Sequence, residues 1–230
     1  MSPAVSKAIA FVVALLAILA IASAFVLDDW ARAEMLTAQG KGWKKSTEAQ
    51  VLGAISKYGD WPELMLLGGL GLLVAWKRNS REWKRILIAA MIASTVAGIL
   101  ANTSRLTTGR VRPRDTEDIA KGFYGPFHNG GFTIGNSKYN SFPSGHTATA
   151  VGFAAVLLFA RPLLGVLAML AAGAVAWSRM ALGAHYLSDV VVATVLAIVV
   201  AWIVWRIAKR DGDAIAARAI AMLRKRKPAA

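Results

Sequence analysis

The chain has 230 residues, 56% of them apolar, and a mean hydropathy of +0.49; the apolar residues fall in long blocks, which excludes an ordinary soluble domain. Its formal net charge of +14 would suit nucleic acid, yet the basic residues cluster at block edges and in the last segment, where membrane topology puts them, so a nucleic-acid partner is not expected. Cysteine is absent, which excludes disulfides, thiolate metal sites and a cysteine nucleophile.

The first block, Ala8–Leu27, follows Lys7 and contains a small-residue Ala22-Ser23-Ala24 that imitates a signal peptide. Its length, about twenty residues, is enough to cross a bilayer, and a retained helix is expected. A loop of mixed charge follows (residues 28–60), with a short amphipathic helix predicted around Ser46–Tyr58. Further apolar blocks run over Trp61–Trp76, Ile86–Ala101, Ser144–Ala160, Pro162–Trp177 and Leu187–Trp205. Several are slightly short for an upright span, so their polar ends should continue as helix. The expected fold is all-α: a six-helix transmembrane bundle over residues 1–210, with spans at about 8–27, 61–76, 86–105, 143–160, 162–179 and 185–205. Trp30, Trp61, Trp76, Trp83, Trp177, Trp202 and Trp205 mark the borders as an interfacial belt. Residues 211–230 form a basic tail, in which Ile215, Ala219, Met222 and Leu223 recur at helical spacing. A helix on anionic lipid and a solvated tail fit that pattern equally.

Orientation follows from Lys77, Arg78, Arg81, Lys84 and Arg85 between the second and third spans, and from Arg206, Lys209 and Arg210 after the sixth. Those segments belong in the cytoplasm, with both termini, and the long loops 28–60 and 102–143 belong outside a bacterial-type plasma membrane.

Three clusters depart from membrane logic, and this topology brings all three to the outer face. Arg105, Gly109, Arg110, Arg112, Pro113 and Arg114 follow the third span; Pro143-Ser144-Gly145-His146 opens the fourth; Ser178-Arg179 closes the fifth, ahead of His185 and Asp189. Arginine presents a permanent charge and a planar fork of donors matched to phosphate oxygens. A helix start opened by proline leaves backbone N–H groups free for an anion. His185 and Asp189 are four apart, so on one helical face the carboxylate can reach the imidazole and leave its other nitrogen as nucleophile or base. Singly, these features have plainer readings: arginines anchor span ends, Pro-Ser-Gly makes turns, and a His–Asp pair can be structural. A zinc site built from His128, His146, His185 and Asp189 is the sharper rival, but the surrounding arginines repel a divalent metal and attract an anion. No metal is therefore expected.

The clusters resemble the tripartite signature of the type 2 phosphatidic-acid phosphatase superfamily, K-x6-R-P, P-S-G-H and S-R-x5-H-x3-D. Here they read Arg105-x6-Arg112-Pro113, Pro143-Ser144-Gly145-His146 and Ser178-Arg179-x5-His185-x3-Asp189, with Arg105 in place of the opening lysine. The resemblance implies that His185 attacks phosphorus and becomes a phosphohistidine, that Asp189 orients it, and that His146 protonates the leaving lipid oxygen. Arg105, Arg112, Ser144, Gly145 and Arg179 would hold the phosphoryl oxygens, with no cofactor. An acid role for His146 at a helix start calls for a feature that keeps the ring charged, and the sequence does not single one out. In an unbroken helix Arg105 and Arg112 would stand about 10 Å apart along the axis, so a bend at Gly109 or Pro113 is required.

The implied partner is a membrane lipid carrying a phosphate or pyrophosphate, such as undecaprenyl pyrophosphate, phosphatidylglycerol phosphate, phosphatidate or a lipid A phosphate. The Arg114–Phe142 loop, with Phe123, Tyr124, Phe127, His128, Phe132 and Tyr139, is the expected headgroup selector. A lipid-to-lipid phosphotransferase uses the same chemistry. A transporter is disfavoured because its polar groups belong at the bilayer midplane rather than at span ends.

Overall fold

The computed structural model describes residues 3–36 and 43–225, with backbone alone for residues 3, 4, 6, 44 and 211–225. Eight α-helices follow in order among the described residues: α1 (Pro3–Val26), α2 (Asp28–Leu36), α3 (Thr47–Tyr58), α4 (Trp61–Lys77), α5 (Arg81–Thr108), α6 (Gly145–Ala160), α7 (Pro162–Ala181) and α8 (Leu187–Lys225). A two-stranded hairpin, β1 (Phe127–His128) and β2 (Gly131–Phe132), lies between α5 and α6.

Each apolar block of the sequence is a helix, and the short helix expected near Ser46–Tyr58 is α3, capped by the Ser46 hydroxyl on the Ala49 N–H at 3.1 Å. Among the described residues four helices are long and apolar enough to cross a membrane: Lys7–Val26, Arg81–Thr108, Pro162–Ala181 and Leu187–Arg210. Helix α6 is apolar with 16 residues and α4 has 17. Helix α8 runs past residue 210 to Lys225 without a break; the side chains expected to form the lipid-facing stripe of the tail, and residues 226–230, lie outside what is described.

Helix α6 is the axis of the bundle. It is buried from Gly145 to Leu157, except for His146, and packs against α4, α5, α7 and α8. Small residues make this possible. Ala89, Ala90, Ala93, Ala97 and Ala101 recur on one face of α5 and are all buried. Gly152 of α6 sits where a Cβ would meet the Ala93 carbonyl at 3.0 Å, so backbone approaches backbone. Helix α1 stays outside, packed on α8 and α2, with Phe11 70% exposed and Leu16 59% exposed. Large apolar side chains turned outward around an alanine-rich centre suit a lipid surround.

At one end of the bundle Arg161 pairs with Glu82 at 2.6 Å, and Arg85 lies over Trp205. At the other end α5 stops at Gly109, which takes the left-handed conformation (φ +55°) and lies so close to the Gly125 carbonyl that a Cβ would overlap it. The bend required between Arg105 and Arg112 is therefore at Gly109.

Candidate active site

The ends of α5, α6, α7 and α8 that carry the three clusters are tied together by main-chain bonds. Ser144 N–H donates to the Asp189 carbonyl at 3.1 Å, Ser141 N–H to the Arg110 carbonyl at 3.1 Å, and Arg114 N–H to the Gly183 carbonyl at 3.1 Å. All eight expected site residues meet here.

His185 is buried, and its Nδ1 lies 2.6 Å from the Ser141 carbonyl and 3.6 Å from Asp189 Oδ2. A carbonyl only accepts, so Nδ1 carries the hydrogen and Nε2 keeps its lone pair. Burial is the main cause that pushes the His185 pKa down to about 4, against the opposing pull of Asp189, with Arg179 and Arg105 adding to the lowering. The imidazole is thus neutral at neutral pH.

The shared helical face inferred from spacing is not how the pair meets. Helix α8 begins at Leu187, so His185 precedes it, outside the helix. Asp189 turns back across the helix start, where its Oδ2 accepts the Tyr186 N–H at 2.8 Å and the Ser141 hydroxyl at 2.5 Å. Its partners are those of a helix N-terminus, which draws an acid into the first turn.

Behind Asp189 stands Arg110, 2% exposed, which donates to Asp189 Oδ1 at 2.5 Å, to Asp28 Oδ2 at 2.6 Å and to Ser188 Oγ at 2.7 Å. Phe123 and Tyr186 place their rings 4.8 and 4.2 Å from its guanidinium. Arg110, a member of the first cluster, is therefore a buried brace. Asp28, Ser141 and Arg110 are positioning residues that the sequence did not reveal. Asp28 reads as an ordinary charge after an apolar block, and only its place at the first turn of α2, directly below the first span, hints at more.

Arg105, Arg112 and Arg179 act electrostatically on one another and on His146. Arg105 bonds Asn102, Arg112 reaches the Asn140 carbonyl at 3.4 Å, and Arg179 donates to Ser56 Oγ at 2.9 Å. Each keeps a buried Nε with no partner among the described residues. The Arg112 pKa is pushed down to about 10, first by burial and then by Arg114, Arg179 and Arg105. Gathering cations against their own repulsion favours an anion among them. A Cβ on Gly145 would overlap the Arg105 guanidinium, so glycine is what lets the arginine lie over the α6 N-terminus. Pro143 precedes the cap instead of entering the first turn. Ser144 is the N-cap, and its buried Oγ accepts from Thr147 N–H at 3.4 Å and Thr147 Oγ1 at 2.9 Å, leaving its own hydrogen to donate.

His146 keeps 25% of its side chain exposed, and its Nε2 lies 3.6 Å from Asp60 Oδ2. His128 packs against Tyr124 and Tyr139 in the loop before α6, its ring tilted to both, with centroids 4.0 and 6.2 Å away.

The PAP2 superfamily model matches residues 83–213, from the start of α5 into α8, more than half of the chain and all three clusters. The chain belongs to the PAP2 superfamily. Among curated proteins it is similar to lipid A 1-phosphatases of Rhizobium johnstonii, 35% identical over 106 residues, and of Rhizobium etli, 34% identical over 106 residues. Those matches cover 45% of this chain and only 41% and 43% of the two relatives, so the chain aligns with less than half of either. Two crystal structures share the fold. LpxE of Aquifex aeolicus has a TM-score of 0.54 at 20% identity, over 78% of this chain and 95% of that one. A transmembrane PAP2-type phosphatidylglycerolphosphate phosphatase of Bacillus subtilis has a TM-score of 0.55 at 19% identity, over 85% and 94%. In this PAP2 chain the matched segment contains Arg105, Arg112, Ser144, Gly145, His146, Arg179, His185 and Asp189.

Proposed function

We propose that this PAP2 protein is a metal-independent membrane phosphatase that removes a phosphate or pyrophosphate phosphoryl group from a lipid, through a phosphohistidine on His185. The observation that carries the reading is the buried, neutral His185, whose Nδ1 is held by the Ser141 carbonyl and on which Arg179 and Arg105 both act. Nε2 bonds to phosphorus as the lipid oxygen departs with a proton from His146. The ring, now cationic, is offset by Asp189 and by the Ser141 carbonyl. Water then attacks phosphorus and releases phosphate. Arg105, Arg112, Arg179, the Ser144 hydroxyl and the Gly145 N–H hold the oxygens throughout.

A lipid substrate is supported by an apolar groove of about 710 Å³ between α3, α4, α6 and α7, lined by Leu64, Leu67, Phe153 and Val175, with Tyr58 and Glu63 among its other walls. The names of the aligned relatives favour a lipid A 1-phosphate type of monoester within that class. In this reading α1, α4, α5, α6, α7 and α8 all span the membrane, the site faces outward, and the basic opposite end with both termini faces the cytoplasm. Phosphate release from purified lipids in detergent tests the activity: it should survive EDTA and be inhibited by vanadate. Loss with EDTA, restored by zinc or magnesium, would remove His185 as nucleophile. Reporter fusions at Ala230 and within Gly122–Asn136 should give opposite sidedness.

A further inference from the structure

We propose that Asp60 is the charge partner and orienting group of His146, holding the imidazole protonated and turned so that its proton passes to the leaving lipid oxygen. This rests on the acid role given to His146 above.

Asp60 is the N-cap of α4. Its Oδ1 accepts the Trp61 N–H at 3.1 Å, which ties the carboxylate to its own helix and leaves Oδ2 facing His146 Nε2 at 3.6 Å. That distance is one of charge pairing rather than of a closed hydrogen bond. The corner carrying Asp60 is anchored on three other helices. Thr149 of α6, one turn below His146, donates to the Gly59 carbonyl at 2.6 Å. Gly59 lies so close to Val175 of α7 that a Cβ would overlap it. Trp61 Nε1 donates to Thr95 of α5 at 2.9 Å. An acid serving only solubility needs no such seating.

The charged neighbours acting on His146 are Arg179, Arg105, Arg112 and Asp60. Burial and three cations all oppose an imidazolium here, and Asp60 is the one charged neighbour that works in its favour. With Nε2–H turned to Asp60, Nδ1 is the nitrogen that serves the substrate. As His185 Nε2 bonds to phosphorus and the phosphorus–oxygen bond to the lipid breaks, the Nδ1 proton moves to that oxygen and the lipid leaves as an alcohol. In the second step water bonds to phosphorus, the phosphorus–nitrogen pair returns to His185, and the proton lost by water restores the charged His146. Asp60 touches neither phosphorus nor the lipid; it acts through the ring.

The test uses the full chain in detergent with two probes: dodecyl phosphate, whose alkoxide needs a proton to leave, and p-nitrophenyl phosphate, which hardly does. Asp60→Asn keeps the N-cap, since asparagine caps as well as aspartate, so the variant should fold. It should lower kcat on dodecyl phosphate about tenfold or more with KM little changed, and lower it on p-nitrophenyl phosphate by less than about threefold. His146→Ala should show the same split, and adding Asp60→Asn to it should cause no further loss. Equal losses on both probes for Asp60→Asn, while His146→Ala still splits them, would overturn the proposal and leave Asp60 as a prop of the phosphate site. No split for His146→Ala would instead remove the acid role itself, and the role of Asp60 with it.

Discussion

His185 and its carboxylate partner are dry and bonded, whereas around His146 the facing carboxylate stands half in solvent. His185 and Asp189 keep 1% and 0% of their side chains exposed, and Arg110, Ser141 and the Tyr186 N–H converge on the aspartate. His146 and Asp60 keep 25% and 49%. In the proposed mechanism the two pairs answer different chemical needs. A nucleophile must be neutral, aimed and free of competing water, and burial supplies all three. An acid that loses and regains a proton every turnover needs an outlet to water and a charge beside it. If that division holds, damage to the first pair should be absolute and structural, and damage to the second kinetic and dependent on the substrate.

The largest effect belongs to the proposed nucleophile. His185→Ala should abolish turnover and any phosphoenzyme trapped by acid quench from labelled substrate. His146→Ala should still be phosphorylated by p-nitrophenyl phosphate while losing about 10²–10⁴-fold on a lipid phosphate. Phosphoenzyme formed normally by His185→Ala but not by His146→Ala would exchange the two roles.

Next is the brace. Arg110→Leu strips two buried carboxylates, Asp28 and Asp189, of their common cation, and removing one partner of a buried ion pair typically destabilises by about 3–5 kcal/mol. Thermal unfolding in detergent should show this as a large drop in Tm, and restoring charge with Arg110→Lys should recover only part, because one ammonium does not reproduce the fork. A Tm for Arg110→Leu equal to that of the parent would mean that the triad is not a structural unit.

This contrast also explains what the sequence could tell. Arg105, Arg112, His146, Arg179, His185 and Asp189 sit at helix ends in fixed local spacings, and a pattern read along the chain finds them. Arg110 and Asp28 are 82 residues apart, and nothing local distinguishes that arginine from its neighbours. The partner of His185 Nδ1 is a backbone carbonyl, that of Ser141, which no pattern of side chains displays. Asp60 before Trp61-Pro62 is legible as a helix cap, but the histidine it faces is set by the seating of Gly59 on α6 and α7. The apolar blocks gave the helices because a lipid solvent leaves apolar stretches few other structures. The start of α8 came two residues later than spacing suggests, since Asp189 caps the turn it was expected to continue.

The pH response separates the pairs more gently. His185 has its pKa lowered from 6.5 to about 4, so the unfolded chain takes up this proton first as pH falls. The stability contributed by keeping His185 neutral is therefore present above about pH 6.5 and is lost between there and about pH 4. Phosphorylation of the enzyme by p-nitrophenyl phosphate, which hardly uses the acid, should run flat from neutrality downward and fail only as pH approaches 4. A fall centred near 6.5 would show that His185 is solvated and that burial does not set its charge.

The smallest effect is on stability at the second pair, and there the comparison is sharpest. Asp60 is half exposed, so its attraction to His146 is screened and contributes little to folding, while its cap on Trp61 N–H is lost only if the side chain can no longer accept. Asp60→Asn should leave Tm within error of the parent. Asp60→Ala should lose about 1 kcal/mol, the usual loss when a capping oxygen is removed. Both variants should nevertheless lose turnover on dodecyl phosphate to a similar degree, because both remove the charge beside His146. Unfolding curves and kcat measured on the same preparations decide the matter. If kcat followed Tm across the two variants, falling for alanine and not for asparagine, the corner would act as scaffold alone, and the second pair would be built on the same terms as the first.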